Sequence, residues 1–199
     1  MLKHEIRNVA QKIEIREDGQ TPHLVGYAAV FNAKSVDLGP FVEIIRPGAF
    51  KRALAGNPDV KAFLNHNEDR MLGRTKASTL ALAEDDHGLR IDITPPDTQD
   101  GRDVVTNVRL GNYDAMSFAF EAKVEKWDMN VTPAFRELLD VDLFDVSVVV
   151  YPAYPQTEVD LRSFEAARAA AKGPVEEARR RGLEILELEL GLRRVGRRA

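Results

Sequence analysis

Short apolar segments alternate with polar positions along most of the chain, and turn-forming residues separate them. An apolar side chain at every second position is typical of a strand with one buried face, and Gly, Pro, Asn and Asp between such segments indicate turns. The pattern predicts strands at residues 13–16, 24–31, 41–45, 60–64, 79–84, 88–93, 116–121 and 143–150. Short strands at this spacing favour a sheet-rich barrel or sandwich over a doubly wound fold.

Two helices are expected between these strands. The first, Pro47–Leu54, begins with a proline suited to the first turn of a helix. The second runs from Asp100 to Gly111, where Asp100 is a candidate N-cap and the valines give one apolar side. These helices would flank the strands, so the fold class expected is mainly β with flanking helices (α+β).

The character of the sequence changes at Leu161. Residues 163–172 are rich in alanine, and Gly173–Pro174 separates them from a charged segment at 184–190, where Leu183, Leu186 and Leu190 lie near helical spacing. Both stretches favour helix, but they are short and carry little apolar surface. We therefore predict one domain over residues 1–160 and a helical extension over residues 161–199 that is not a second folded domain.

Charge follows the same division. Residues 161–199 carry ten basic and six acidic side chains, a net charge of +4, whereas the rest of the chain carries 18 and 26, a net charge of −8. An acidic body argues against nucleic acid as the main partner. The basic extension is either a solvated helical face or a segment that contacts a polyanion or an acidic protein surface.

Composition narrows the possible chemistry. The chain has 199 residues and no cysteine, which excludes disulfides, thiolate zinc sites and a cysteine nucleophile. No signal-peptide or membrane-spanning apolar stretch occurs, so we expect a soluble protein that does not contact a membrane. Neither a glycine-rich phosphate loop nor a metal-ligand spacing is found, and no cofactor is expected.

Three segments place a chemically capable residue inside an apolar run. Ser117 lies in a segment where Met116, Phe118 and Phe120 would face the core and the serine the other side. His66 ends an apolar strand between two asparagines, and histidine is the residue type most often used for proton transfer near neutral pH. Asp145 interrupts an apolar strand, where a carboxylate needs a partner. Together they supply the nucleophile, base and orienting acid of a serine hydrolase.

Each of these residues has an ordinary alternative. Ser117 could be a plain strand serine, His66 a structural histidine, and Asp145 a strand-end acid that faces water or pairs with Arg136. Ser147 is a competing nucleophile on the same strand face as Asp145. Asp140 and Asp142 are alternative acids. Two carboxylates could also serve a glycosidase, but nothing singles out a pair.

The order of the motifs resembles a known family. Ile45–Phe50, Leu64–Asn67 followed by Leu72–Arg74, Met116–Phe118, and Asp145–Val149 with Pro152–Ala153 are similar to segments of the HK97-type phage prohead maturation proteases. The resemblance extends over most of residues 10–157. The family usually has glutamate at the position of Asp145, so here either the strand approaches His66 more closely or a water bridges the two.

The resemblance implies a herpesvirus-assemblin-like fold, a compact and mostly antiparallel β-barrel. It implies a serine endopeptidase with Ser117 as nucleophile, His66 as base and Asp145 as orienting acid. Such enzymes act inside the assembling prohead in the host cytoplasm, where they cleave the scaffold segment from the major capsid protein and often cleave themselves. They suggest activation through a homodimer or higher oligomer. The loop between Lys126 and Arg136 is one candidate for the oxyanion hole.

Two other functions remain open. A scaffolding or capsid-associated protein could keep the same fold without cleaving anything. A different serine hydrolase, such as an esterase, is also conceivable, although Ser117 lacks the Gly-x-Ser-x-Gly context of the α/β-hydrolases.

Overall fold

The computed structural model describes residues 4–9, 13–35, 38–150, 162–171 and 181. Contacts divide the chain into two compact units, Met1–Asp160 and Leu161–Ala199. In the second unit, residues 162–171 are helical, close to the alanine-rich helix predicted from the sequence. The leucine-containing segment at 184–190 lies outside the described residues.

All the named elements belong to the first unit. The helices are α1 (Lys51–Ala55) and α2 (Gln99–Arg109). In chain order the strands are β1 (Glu5–Val9), β2 (Glu14–Asp18), β3 (Thr21–Val30), β4 (Phe41–Ile45), β5 (Lys61–Leu64), β6 (Asn67–Arg74), β7 (Leu80–Glu84), β8 (Gly88–Ile93), β9 (Ala115–Asp128) and β10 (Ala134–Val149).

The larger sheet has the strand order β1-β9-β10-β5-β6, and β4 joins it along the first part of β10. β9 and β10 form a long antiparallel hairpin, whereas β4 and β5 both run parallel to β10. The smaller sheet has the order β2-β3-β8-β7 and is antiparallel throughout. A single bridge between Phe31 and Ile45 links the end of β3 to β4.

The expected closed, antiparallel barrel is not found among the described strands, which form two sheets with a mixed larger one. The prediction of a mainly β fold with a few helices is confirmed. An alternating pattern shows only that one face of a strand is buried, and it carries no information on the direction of the partner strand. For that reason the parallel pairs of β10 could not be read from the sequence.

Helix boundaries differ in detail from those expected. The first helix begins at Lys51 and not at Pro47, because Gly48 has a φ of +98° and the chain turns there before the helix starts. The amide groups of Gly48 and Phe50 donate to the carboxylate of Glu84, which fixes this turn. In α2 the N-cap is Thr98, whose hydroxyl accepts from the Gly101 amide, while Asp100 lies in the first turn.

Two strands were missed from the sequence. β1 was missed because its polar residues Glu5 and Arg7 are buried rather than exposed. β6 begins with four largely exposed residues, Asn67–Arg70, and so lacks an apolar alternation. β9 and β10 also extend well beyond the predicted segments. Their charged halves, next to the turn that joins the two strands, pair with each other and so remain in the sheet.

Candidate active site

The core face of β9 is built as the sequence predicts. Met116, Phe118 and Phe120 are completely buried in the hydrophobic core, and the ring of Phe118 packs against that of Phe120. Ser117 therefore projects to the opposite face of the strand. Its neighbours across the sheet are Asn8 on β1 and Ser147 on β10.

A β-bulge brings Asp145 to the same face as Ser117. Leu143 pairs with Phe120 and Asp145 pairs with the next residue of β9, Ala119, so Phe144 is an extra residue on β10. Without it, Asp145 would share the core face with Leu143, because residues two apart in a strand point the same way. The bulge also shows in the buried core residues of β10. Leu143 and Val146 are three positions apart, whereas Val146 and Val148 have the two-residue spacing of a regular strand.

His66 occupies a tight turn between β5 and β6. Leu64 pairs with Asn67, so the turn consists of Asn65 and His66, which have φ angles of +53° and +54°. A two-residue hairpin turn of this type needs positive φ at both positions, and asparagine is favoured there. Histidine in this region is uncommon and costs about 1–3 kcal/mol. The site therefore holds His66 in a backbone conformation that the rest of the fold must impose.

Three hydrogen bonds tie this turn to the end of β10. The Asn65 amide donates to the Val148 carbonyl (2.9 Å), and the Val150 amide donates to the Asn65 side chain (3.1 Å). The His66 amide donates to the Ser147 hydroxyl (3.2 Å). The turn residue and the acid-bearing strand are thus fixed to each other.

The three predicted site residues meet in space. His66 Nε2 lies 2.7 Å from Ser117 Oγ, and His66 Nδ1 lies 2.6 Å from Asp145 Oδ1. The side chains of His66 and Asp145 are 14% and 15% exposed, whereas Ser117 is fully buried. Aspartate contacts the imidazole directly, so the strand approaches closely and no bridging water is needed. The arrangement has the connectivity of a Ser-His-acid triad.

Ser147 lies beside the other end of the imidazole. Its hydroxyl is 3.1 Å from Asp145 Oδ1 and 3.3 Å from His66 Nδ1. This placement favours Ser117 over Ser147 as the partner of Nε2. Sequence reasoning considered Ser147 only as a rival nucleophile and did not consider Asn65, whose role in the turn follows from its positive φ and its contact with Val150.

The alternative acids Asp140 and Asp142, and Arg136, form contacts away from His66 and Ser117. Asp140 and Asp142 both pair with Arg52 at 2.6 Å, and the hydrogen bond from Arg52 lowers the pKa of Asp142. Arg136 does not pair with Asp145. It is completely buried and binds three carboxylates, those of Glu5, Glu43 and Glu125.

This buried ion cluster joins four strands of the larger sheet. Arg7 donates to both Glu5 and Glu43 at 3.0 Å, and Arg136 donates to Glu5 at 2.9 Å. Burial raises the pKa of Glu5 despite the opposing effect of the Arg136 hydrogen bond. The cluster adjoins the aromatic face of β9, since the Arg7 guanidinium lies 5.4 Å from the Phe120 ring centre.

The proposed oxyanion loop is in the wrong place. Phe135 pairs with Asp128 at one end of the β9–β10 hairpin, and Ser147 pairs with Ser117 twelve residues further along β10. At the usual rise of a strand this is roughly 35–40 Å. Backbone amides of that loop therefore cannot reach a carbonyl bound at Ser117.

Neither a metal site nor a membrane-spanning helix is found in the part of the chain that the structure describes. There, no group of three or more His, Asp or Glu side chains is arranged to hold a metal ion. Nor is any helix within those ranges long and apolar enough to cross a membrane.

Similarity to known proteins identifies the family. The sequence model of the caudovirus prohead serine proteases matches residues 10–171, which is most of the chain. The chain belongs to this family. It is therefore a serine peptidase of phage capsid maturation. No curated protein sequence matches it significantly.

The fold also has a solved counterpart. The capsid assembly protease gp21 of bacteriophage T4 superposes with a TM-score of 0.54, covering 75% of this chain and 98% of that one. The two sequences are 12% identical, so the likeness concerns the fold alone.

Proposed function

We propose that the protein is the capsid maturation endopeptidase of its phage, with Ser117 as nucleophile, His66 as general base and Asp145 as the acid that orients it. The observation that carries this proposal is the continuous chain of contacts from Asp145 Oδ1 through the imidazole to Ser117 Oγ, at 2.6 and 2.7 Å. Residues from three separate elements converge there, all within the region matched by the family.

The chemistry is an acyl transfer in two steps. His66 Nε2 takes the proton of Ser117 as Oγ attacks the scissile carbonyl carbon, and then gives that proton to the leaving amine. Water next attacks the acyl-enzyme, with His66 again as base, and releases the second fragment and free Ser117. Asp145 keeps the Nδ1 proton in place and stabilises the imidazolium that forms in each step.

The substrates proposed are the major capsid protein with its scaffold segment and the protease chain itself. Cleavage would take place inside the assembling prohead, in the host cytoplasm, and without a cofactor. An assemblin-like enzyme would act as a homodimer or higher oligomer. Specific nucleic acid and membranes are not among the proposed partners, in keeping with the acidic body of the chain.

The test is co-expression with the major capsid protein of the same phage, followed by intact-mass analysis of assembled shells. Wild type is expected to give trimmed capsid protein and a shortened protease chain, and Ser117→Ala neither. Ser163→Ala is the matched control, since it makes the same change in the separate C-terminal unit. Equal trimming by His66→Ala and wild type would contradict the mechanism.

The non-catalytic alternative predicts a different result. A scaffolding protein with this fold would give identical capsid masses with wild type and Ser117→Ala in shells that assemble normally. It would also fail to react at Ser117 with a fluorophosphonate probe. An esterase would react with the probe and leave the capsid protein uncut.

A further inference from the structure

A group of basic side chains stands on the same face of the larger sheet as Ser117. Lys61 on β5 pairs in register with Asp145 on β10, and Arg74 on β6 pairs with Lys61. Side chains at paired positions of neighbouring strands point to the same face, and Asp145 shares its face with Ser117. The next residue of β5, Ala62, lies in the hydrophobic core, as this orientation of Lys61 requires.

The basic side chains share one carboxylate. Atoms of Asp59 lie 2.6 Å from the Arg74 guanidinium, 3.5 Å from the Lys76 ammonium and 3.8 Å from the Lys61 ammonium. The hydrogen bond from Arg74 is the main cause of the lowered pKa of Asp59, so this carboxylate is ionised at neutral pH. Three positive charges and one negative charge give this basic cluster a net charge of +2, although residues 1–160 together carry −8.

The basic cluster has donors left for a further anion. Lys61, Arg74 and Lys76 have side chains that are 36%, 39% and 66% exposed, whereas Asp59 is 23% exposed. A guanidinium has five N–H donors and each ammonium three, which is more than the two oxygens of Asp59 can accept. The carboxylate of Asp145 does not take them up, because it is directed at His66 Nδ1.

The basic cluster is within reach of a peptide bound at Ser117. In the order of the larger sheet, β5 and β6 are two and three strands away from β9. With about 4.8 Å between neighbouring strands, these separations are roughly 10 and 14 Å. An extended peptide advances about 3.3 Å per residue, so it covers this distance in three or four residues.

The position of His66 indicates which side of a substrate would come to the basic cluster. The leaving amine takes its proton from His66 Nε2, so the leaving-group side of the peptide begins at the imidazole. Asp145 contacts the other ring nitrogen, and Lys61 lies beyond Asp145 on the next strand. A chain that continues past the imidazole in this direction therefore meets Lys61 first and Arg74 next.

The surroundings of the basic cluster suit a peptide better than a nucleic acid. Phe63 pairs with Ser147 on one side and with Met71 on the other, so Met71 also stands on this face of the sheet. Met71 is 40% exposed and offers an apolar contact in the row next to Lys61 and Arg74. A phosphate backbone needs a longer run of basic side chains, and the rest of residues 1–160 is acidic.

We propose that Lys61, Arg74 and Lys76 bind an acidic side chain of the peptide substrate, three or four residues from the scissile bond on its leaving-group side. Because the catalytic unit is acidic overall, such a side chain is repelled elsewhere and attracted at the basic cluster, which helps to set the cleavage position. This inference rests on the proposed function, since it assigns a substrate-binding part of the same site.

Peptides that differ in one residue test the proposal. The parent peptide spans the cleavage site that intact mass identifies in the capsid protein, and glutamate or glutamine replaces each of the first five residues on the leaving-group side in turn. The measurement is the ratio of kcat/KM for each glutamate peptide to that of its glutamine partner. At the third or fourth position we expect wild type to give a ratio of about three to ten, mainly through KM, because exposed ion pairs are individually weak and act before the transition state.

Variants of the basic cluster show whether it is the source of that ratio. Lys61→Gln/Lys76→Gln should bring the ratio to about one, and raised salt should lower it in wild type. Lys61→Glu should favour a peptide with lysine at that position over the one with glutamate. Arg74 is left in place because it closes the β5–β6 hairpin through Asp59. Lys51→Gln is the matched control, since it makes the same change on α1, outside the basic cluster, and should keep the wild-type ratio.

The possible outcomes separate the inference from the proposed function. A ratio near one in wild type, or an unchanged ratio in Lys61→Gln/Lys76→Gln, would overturn the inference and leave the proposed function intact. A DNA oligonucleotide that binds wild type but not the double variant, with no preference for glutamate, would overturn it in favour of nucleic acid. No cleavage of any peptide by wild type would count against the proposed function, and the inference would fall with it.

Discussion

The Ser147 hydroxyl is expected to support His66 and Asp145 and not to act as the nucleophile. Its oxygen accepts the His66 amide and its hydrogen reaches Asp145, so Ser147→Ala leaves a half-buried amide without that acceptor. Such a loss costs about 1–3 kcal/mol. We expect kcat for capsid-protein cleavage to fall about tenfold to a hundredfold with KM little changed. Loss as complete as that of Ser117→Ala would make Ser147 the nucleophile.

Asp145 is expected to act through the proton on His66 Nδ1. In Asp145→Asn the amide can donate to Nδ1 and so favours the tautomer with its proton on Nε2, which cannot accept from Ser117. In serine proteases this change lowers kcat by about 10⁴. Asp145→Glu keeps the charge but must fit one more methylene into a direct 2.6 Å contact, and we expect a smaller loss.

Steady-state cleavage of a capsid-derived peptide by the two variants measures this difference. Far-UV circular dichroism and the urea midpoint serve as the control for folding. Activity of Asp145→Asn equal to that of wild type would remove Asp145 from the mechanism.

At the scale of elements, the Asn65–His66 turn combines a backbone requirement with a side-chain contact. Asn65→Ala loses the hydrogen bond to Val150 and places alanine at a φ of +53°, so we expect destabilisation of about 1–3 kcal/mol and reduced activity. Asn65→Gly loses the same hydrogen bond but tolerates the positive φ. Urea unfolding of both variants separates the two effects, and equal stabilities would show that the backbone conformation is not strained.

An ion pair closes the open end of the same hairpin. Asp59, just before β5, accepts from Arg74 at the end of β6 at 2.7 and 2.6 Å, and this hydrogen bonding lowers the pKa of Asp59 below its usual 3.8. A lowered pKa stabilises the fold above pH 3.8, and the effect is lost as the pH falls below that value. Wild type should therefore be more stable than Asp59→Asn at pH 7, with the difference narrowing towards pH 2.

Urea unfolding at several pH values measures this narrowing. A difference between the two proteins that stays constant from pH 7 to pH 2 would contradict the proposed contribution of the Asp59–Arg74 pair.

The elements also show what the sequence could and could not predict. Alternation placed Ser117 on the face opposite Phe118, and the apolar run of β5 delivered His66 to its end, as the structure confirms. The bulge at Phe144 was not predicted, because one extra residue is a matter of pairing between strands. The prediction of Asp145 as a site residue thus depended on the chemistry of a carboxylate in an apolar run.

At the scale of the whole molecule, composition and motif order indicated the class of fold and left its topology open. The parallel contacts of β10 with β4 and β5 depend on connections through α1, which no local pattern encodes. β1 was missed for a related reason, because its polar side chains are buried in ion pairs with residues more than thirty positions away. Long-range electrostatic pairing leaves no periodic signal in a sequence.

The end of the C-terminal unit carries a net positive charge. Residues 172–199 carry eight basic and five acidic side chains, opposite in sign to the acidic body, and they follow the last residue matched by the family. We expect this segment to engage an acidic surface of scaffold or capsid protein during assembly, since opposite charges steer association. A chain that ends at Ala171 keeps the whole matched region, so it should label at Ser117 as fast as wild type but be depleted from purified proheads. Raised salt during assembly should deplete the full-length chain as well. Normal packaging of the shortened chain would refute the targeting role, and slower labelling would show that the segment supports the catalytic unit itself.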